Sequence, residues 1–268
     1  MKFYNELTKK IDFSNKTVLE IGGSNTPVEV ALKEIGAKKW VCVDKISESH
    51  FKLYHAHYCE LKIHTFKDIQ SSIFDVDDED YIIFNEYAER VPDSFYDKFD
   101  VVISNLSFEH IIQLPTVLDK IYKALRKDGI LYAVFSSIWS APTGTHLSIN
   151  DSINDFSWSI IEKNYPKEMY HAHLLMGYME IYEYLSKIYS DEIAQKYAYL
   201  IKNGVDSYVN RLFYEDYVYL VNKTQFSKKA IFPASVSKME SQKMKMLQQR
   251  YPGYKRFDVR GAVIEAIK

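Results

Sequence analysis

Thr17-Val18-Leu19-Glu20-Ile21-Gly22-Gly23-Ser24-Asn25-Thr26-Pro27 is the stretch that decides the fold. Its first five residues form an apolar, β-branched run of strand length, interrupted by one acid, Glu20. Gly22 and Gly23 then let the backbone turn sharply and come close to a ligand. Thr26 reads as an N-cap, Pro27 as the first helical residue and Glu29 as the far end of a Thr-x-x-Glu capping box. A strand, a tight turn and an immediate helix start open a parallel α/β sheet.

Downstream the alternation repeats. A helix over Val28 to Ile35 precedes a second strand, Trp40-Val41-Cys42-Val43-Asp44. A third strand is predicted at Tyr81 to Phe84 and a fourth at Phe99 to Asn105, apolar throughout as buried parallel strands are. Leu114 to Leu125 has helical spacing and stops before Lys127-Asp128-Gly129. Ile130 to Phe135 is the fifth strand. This pattern predicts a Rossmann-like, doubly wound, mostly parallel seven-stranded sheet flanked by helices, with its ligand-binding core in residues 1–150. Beyond residue 150 the texture changes. Asp155 to Lys163 and His171 to Leu200 read as helices rich in tyrosine (Tyr178, Tyr182, Tyr184, Tyr189). Residues 151–215 are therefore expected to form a helical insertion over the active edge, a lid for an acceptor. Strand signals return at Tyr217 to Val221 and Ala262 to Ile267, so residues 216–268 should complete the core with terminal strands and a helix. Lys238 to Met246 reads as an amphipathic helix with a solvated basic face.

Composition narrows the function classes. Thirty-four Lys and Arg face 36 Asp and Glu, a net charge of −2. No basic excess is available to displace phosphate counterions, so a nucleic-acid partner is not expected. No apolar run approaches the length of a membrane span. The first ten residues carry no apolar signal region, and two cysteines, Cys42 and Cys59, make neither a disulfide framework nor a four-ligand zinc site. A reducing, cytoplasmic setting follows as the expectation.

The first turn is read for its ligand. A dinucleotide fold wants Gly-x-Gly-x-x-Gly so that the backbone can approach a pyrophosphate at several points. Here Ser24 replaces the second glycine and no third follows, which disfavours NAD. An acid at Glu20 suits a ligand carrying positive charge. Asp44 closes the second strand roughly two dozen residues later, the spacing at which a carboxylate meets ribose hydroxyls.

These residues carry a family resemblance. Val18-Leu19-Glu20-Ile21-Gly22-Gly23 resembles the first motif of class I S-adenosylmethionine-dependent methyltransferases, with Asp44 as their second-strand acid. Ala88-Glu89-Arg90-Val91-Pro92, followed by Phe99 to Asn105, is similar to the adenine-side loop and fourth strand of the type 11 branch. Phe108-Glu109-His110-Ile111 resembles that branch's Glu-His-Val/Ile element. Tyr122 to Ile130 resembles its Leu-Lys-Pro-Gly-Gly turn, with Lys127-Asp128-Gly129 as a variant. The likeness spans residues 15–140. It implies S-adenosyl-L-methionine as cofactor and S-adenosyl-L-homocysteine as product. Glu20, Gly22, Gly23 and Ser24 would surround the methionine part, Asp44 would accept the ribose hydroxyls and Lys45 would lie against the adenine. Glu86 and Tyr87 fall at the adenine-side turn, and Asn105 and Leu106 would face the methyl donor.

Methyl transfer is an in-line displacement, so the protein mainly positions the nucleophile and excludes water. An acceptor that loses a proton also needs a base, which histidine supplies near neutral pH. His110 follows the fourth strand. His146 follows the fifth, in Ser136-Ser137-Ile138-Trp139-Ser140-Ala141-Pro142-Thr143-Gly144-Thr145-His146-Leu147, at the active edge. That loop resembles the Ser-Pro-Ile-Trp-Ser…Gly-His-His loop of members linked to sugar and cell-surface polysaccharide, with Thr145 standing for the first histidine. His146 is the leading base and acceptor contact, His110 the alternative, and Trp139 a wall against water. Arg211 could clamp an acidic group on the acceptor bidentately. His171 and His173 invite a metal reading with Glu109, His110 and His146, but i, i+2 spacing does not share a helix face, so they read as ordinary histidines and no metal is expected. The leading function is O-methylation of a small-molecule or sugar-linked acceptor, in capsule or surface-glycan biosynthesis. N-methylation, a phosphorylated or nucleotide-linked acceptor, and a non-catalytic binding protein stay open.

Overall fold

The computed structural model describes residues 2–22, 26–45, 62–69, 80–146, 166–204 and 209–268. The predictions for Gly23, Ser24, Cys59 and the helix at 155–163 lie outside the described residues.

The strands form one sheet in the order β3-β4-β2-β1-β5-β6-β8-β7, from β1 (Thr17–Ile21), β2 (Lys39–Asp44), β3 (Ile63–His64), β4 (Tyr81–Asn85), β5 (Phe99–Asn105), β6 (Leu125–Ser136), β7 (Lys228–Val236) and β8 (Val259–Ile267). The first six in that order run parallel, and β8 is antiparallel to both neighbours. Eight strands stand where seven were expected. The additional one, β3, has two residues and pairs with β4 at Ile63↔Ile83 and His64↔Phe84; so short a segment carries no periodicity to read.

Alternation along the strands sorts side chains onto two faces. Leu19, Ile21, Val41, Val43, Val102 and Leu131 pack on one. The other receives Val18, Trp40, Cys42, Ile83, Val101 and Ile103. Helices α1 (Lys2–Lys10) and α2 (Val30–Glu34) cover this second face through Leu7 and Ala31. The first face is covered by α3 (Leu114–Ala124), whose Leu114, Val117, Leu118 and Ile121 repeat at the helical period. The sheet is doubly wound, as predicted.

Several expectations are corrected. Tyr217 to Val221 is helical, within the four-helix series α4 (Ala172–Leu175), α5 (Tyr178–Leu185), α6 (Asp191–Asn203) and α7 (Tyr214–Lys223). Tyr214, Tyr217 and Val221 are the buried residues of α7, spaced i, i+3, i+7, and Asp216 receives the Phe213 backbone N–H at 2.8 Å. That helical spacing overrides the β-branched and aromatic composition that suggested a strand. The strand beside β8 is instead β7, an edge strand with lysines at 228 and 229 and Pro233, whose partial exposure hid it. At the first turn the Thr26 hydroxyl is hydrogen-bonded to Tyr4 Oη at 2.9 Å, and Glu29 pairs with Lys33 at 3.2 Å. The helix behind is wound as a π-helix, Ile35 N–H reaching the Val30 carbonyl. The single helix expected over His171 to Leu200 is three, broken at Gly177 and Ser190.

The described insertion has an apolar core of its own, with Ile181, Leu185, Ala194, Tyr197 and Ile201 sealed between α5 and α6. A second seam joins it to the loop after β6 and the segment before β8: Trp139, Leu174, Val209, Phe213 and Phe257 meet Leu247 of α8 (Ser241–Arg250). With Asn210 bonded to the Phe108 and Ile111 carbonyls, these segments sit on the loops that leave β5 and β6.

Candidate functional site

The parallel strands β4, β2, β1, β5 and β6 all end at one edge. The order reverses between β1 and β5, which opens a crevice at their carboxyl ends. Gly22 lies in it with φ +62°, and its N–H donates to the Val43 carbonyl at 2.8 Å. A Cβ built there would stand 2.6 Å from Ser107 Cβ. The turn after β1 and the turn after β5 thus pack directly on one another through a glycine, where any side chain would collide with Ser107. Leu106 is also left-handed, at φ +54°, and 52% exposed, which turns an apolar side chain outward beside Asn105.

Asp44 and Asn85 are register partners at the ends of β2 and β4, and Glu86 N–H donates to the Asp44 carbonyl at 3.1 Å. Tyr87 follows, exposed, with Lys45 Nζ 5.8 Å and the Arg90 guanidinium 5.1 Å from its ring centre. One rim of the crevice thus gathers an acid, an aromatic face and two cations. Glu20 is fully buried on the α1 side of the sheet. Its Oε2 accepts the Trp40 indole N–H at 2.8 Å and the Cys42 thiol at 3.3 Å. Cys42 Sγ meets Tyr81 Oη at 3.3 Å, and that phenol donates to the Thr26 carbonyl at 2.7 Å. This buried polar chain grips residues on both sides of the first turn.

The other side of the crevice brings the two histidines together. His110 ends the turn Phe108–His110 after β5, and His146 closes the loop after β6. Their ring centres are 4.9 Å apart, at 75° to one another. His146 is 5% exposed, with Nε2 hydrogen-bonded to the Ser137 carbonyl. Burial, assisted by the neighbouring His110, pushes its pKa down to about 3. Glu109 lies wholly inside. One oxygen accepts the Ser136 N–H at 3.1 Å and stands 4.0 Å from His110 Nε2, while the other has no hydrogen-bond partner among the described residues. Burial raises this carboxyl to about 8, so Glu109 is mostly protonated at neutral pH.

Trp139 is packed in the seam beneath the insertion. Its carbonyl accepts His173 Nε2–H at 2.7 Å, and Arg211 lies over its ring at 5.5 Å. Arg211 is exposed and donates to the Asn203 carbonyl. His171 and His173 are buried and donate to the Phe257 and Trp139 carbonyls, so both are core histidines tied to backbone. Among the described residues, no group of three or more His, Cys, Asp or Glu could hold a metal ion.

The sequence did not mark Asn210, Tyr217 or Ser107 for the site, and marked Glu109 only in the resemblance and in a metal reading set aside. Glu109 stood in view inside a Glu-His dipeptide, but its significance is its burial, which depends on β6. Asn210 was noted only as the neighbour of Arg211.

The family described as "Methyltransferase domain" matches residues 1–159, more than half of the chain, and the chain belongs to that family. No curated protein matches it. Among solved structures, it is similar to phosphoethanolamine N-methyltransferase 2 of Haemonchus contortus in complex with S-adenosyl-L-methionine. That pair shows 13% identity and a TM-score of 0.50, covering 100% of this chain and 52% of the other. An S-adenosylmethionine-dependent methyltransferase of Mesorhizobium loti gives 12% identity and a TM-score of 0.49, covering 100% and 97%. This chain spans about half the length of the Haemonchus enzyme, and that likeness shows a shared fold. The cofactor of the class is S-adenosylmethionine, with S-adenosylhomocysteine as product. The donor set at the strand ends, the acid Asp44 with the exposed ring of Tyr87 beyond β4, has the chemistry to meet hydroxyls and an aromatic base.

Proposed function

We propose that this methyltransferase works in the cytoplasm and transfers a methyl group to a hydroxyl of a small-molecule or carbohydrate acceptor. The observation that carries this reading is the contact between His110 and His146 at the acceptor side of the crevice. An amine can be methylated from its free lone pair, whereas a hydroxyl gains nucleophilicity when a base removes its proton. A sugar acceptor in capsule or surface-glycan synthesis is the finer form, supported by the resemblance of the loop 136–147. In this reading residues 1–150 bind the cofactor, 151–215 enclose the acceptor and 216–268 complete the sheet.

The turn Gly22-Gly23-Ser24, with Asp44, Lys45, Glu86, Tyr87, Asn105 and Leu106, would hold the cofactor, and Glu20 would support that turn from inside. When bound, the cofactor supplies an electrophilic methyl on a sulfonium. His110, the more open of the two rings, takes the acceptor proton. His146 stays neutral because burial penalises its charged form, and it fixes the orientation of its neighbour. Glu109 lies behind His110, its carboxyl 4.0 Å from Nε2, and an imidazolium forming there would favour ionisation of that otherwise protonated group. Trp139 keeps water out through the seam beneath the insertion, and Arg211 is the cation at hand for an acidic acceptor.

The test is incubation with methyl-labelled S-adenosylmethionine and a panel of sugars, nucleotide sugars and amines. An alkali-stable O-methyl product supports the reading. Label found on amines alone would overturn it. Calorimetry with the cofactor separates both outcomes from a protein that keeps the fold without turnover.

A further inference from the structure

Asn210 uses the whole hydrogen-bonding capacity of its side-chain amide. Nδ2 donates to the Phe108 carbonyl at 2.7 Å and the Ile111 carbonyl at 3.2 Å. Oδ1 accepts the Leu212 N–H at 3.1 Å and the Tyr217 phenol at 2.8 Å. Its own backbone N–H donates to the Glu109 carbonyl at 2.8 Å. The partners fix which way the amide points, because the flipped rotamer would set oxygen against two carbonyls and nitrogen against two donors. Three carbonyls of the turn, at 108, 109 and 111, are therefore satisfied by one residue of another element.

The turn's own backbone bonds hold it weakly, while Phe108 anchors it in the core and Glu109 ties it to Ser136. It is one turn of 3₁₀ helix, with His110 N–H reaching the Ser107 carbonyl at 2.9 Å and Ile111 N–H reaching the Phe108 carbonyl only at 3.4 Å. Such turns have poor hydrogen-bond geometry and take their shape from their surroundings. The segment that brings Asn210 there is itself fixed: Arg211 is left-handed at φ +59°, lies over Trp139 and donates to the Asn203 carbonyl.

We propose that Asn210 is a positioning residue for the acceptor-side base: it clamps the 209–213 segment onto the turn that carries Glu109 and His110, and so sets the contact of His110 with His146. Tyr217, buried in α7, orients the amide from behind. The inference rests on the histidine pair acting on the acceptor, and it makes the insertion part of the catalytic frame. A displacement of about 1 Å at a catalytic group costs on the order of 10²-fold in rate, so the clamp has a functional consequence beyond stability.

The experiment follows the His110 and His146 ring resonances by NMR in the full chain, with His64 as internal control. Asn210→Asp keeps the size and Oδ1 but sets a carboxylate oxygen against the Phe108 and Ile111 carbonyls. Both active-edge rings should shift and lose their mutual contact signal, while His64 stays put and the dissociation constant for S-adenosylmethionine changes less than about twofold. Asn210 with a merely structural role would lower the melting temperature and leave the rings of the folded variant unchanged; that result overturns the proposal. Should Asn210→Asp fail to fold, Tyr217→Phe removes one hydroxyl without changing shape. It should move the same resonances by less, and unmoved rings in that variant would likewise overturn it. These signals report positioning whatever atom is methylated, so failure here is distinct from failure of the O-methylation reading.

Discussion

The two sides of the crevice are built differently. The side proposed for the cofactor consists of strand ends and the turns that follow them directly: Gly22 after β1, Asp44 at the end of β2, Glu86 and Tyr87 after β4, Asn105 at the end of β5. Each is placed by the strand it terminates. The acceptor side is assembled from distant segments: His110 from the turn after β5, His146 from the end of a ten-residue loop after β6, Asn210 from the far end of the insertion. A strand-end site inherits its geometry from the sheet, whereas an assembled site has only its own contacts to keep it in register.

The largest expected effect lies in the assembled half. His110→Ala should lower kcat by about 10²–10⁴ with cofactor affinity nearly unchanged, the range for losing a positioned base. His146→Ala should cost less, since its Nε2 is committed to the Ser137 carbonyl and its ring is closed to solvent. The comparison would reverse if His146→Ala were the more damaging at saturating acceptor, and His146 would then be the base.

The next effect concerns pH. Glu109 is raised from 4.5 to about 8 by burial, so between those values the unfolded chain binds fewer protons than the folded one and stability falls as pH rises. The buried histidines act at the other end. His146, His171 and His173 are lowered from 6.5 to about 3, 4 and 3 by burial, so the stability they contribute is present above 6.5 and lost as pH falls toward those values. The melting temperature should therefore pass through a maximum near pH 6–7. Glu109→Gln should flatten the alkaline limb, a gain on the order of 3–5 kcal/mol at pH 9 relative to the parent. An alkaline limb that persists in Glu109→Gln would show that the carboxyl ionises normally in the folded chain.

On the cofactor side, Asp44→Ala should weaken S-adenosylmethionine binding by about 1.5–3 kcal/mol, the range for lost hydrogen bonds to a charged group. Equal dissociation constants for a folded variant and its parent would remove Asp44 from the site.

The same contrast explains what could be read in advance. β1, β2, β4, β5 and β6 announce themselves as apolar runs because both faces of a parallel sheet are buried, and the turns at their ends follow. Tyr217 misled because its neighbours favour strands while its tertiary environment wants a helix with Tyr214, Tyr217 and Val221 inward. β7 escaped because an edge strand with Lys228, Lys229 and Pro233 has no apolar contrast. His110 and His146 were legible as residues, but their 4.9 Å contact was not, since nothing local in either loop encodes the other. Asn210 is the extreme case: its significance lies in the Phe108 and Ile111 carbonyls, about a hundred residues away.

The smallest effect tests whether the cofactor side is as locally determined as it looks. Tyr4, on α1, lies far in sequence from the first turn, yet its hydroxyl bonds Thr26 Oγ1 at 2.9 Å, and Thr26 is fully buried. The Tyr81 phenol holds the Thr26 carbonyl from β4, so that residue is gripped from two elements. A hydrogen bond of this kind contributes about 0.5–1.5 kcal/mol net. Part of that should appear as cofactor affinity, because Thr26 fixes where the turn re-enters α2. Tyr4→Phe keeps the ring in the core and removes only the oxygen, so the expected result is a rise in the dissociation constant for S-adenosylmethionine of about 2- to 10-fold, with a drop of a few degrees at most in the melting temperature. The affinity should change more than Glu29→Gln changes it, since the Glu29–Lys33 pair is exposed and contributes little. If Tyr4→Phe binds the cofactor as the parent does, the turn after β1 is held by its strand alone, and the contrast between a strand-end half and an assembled half stands without qualification.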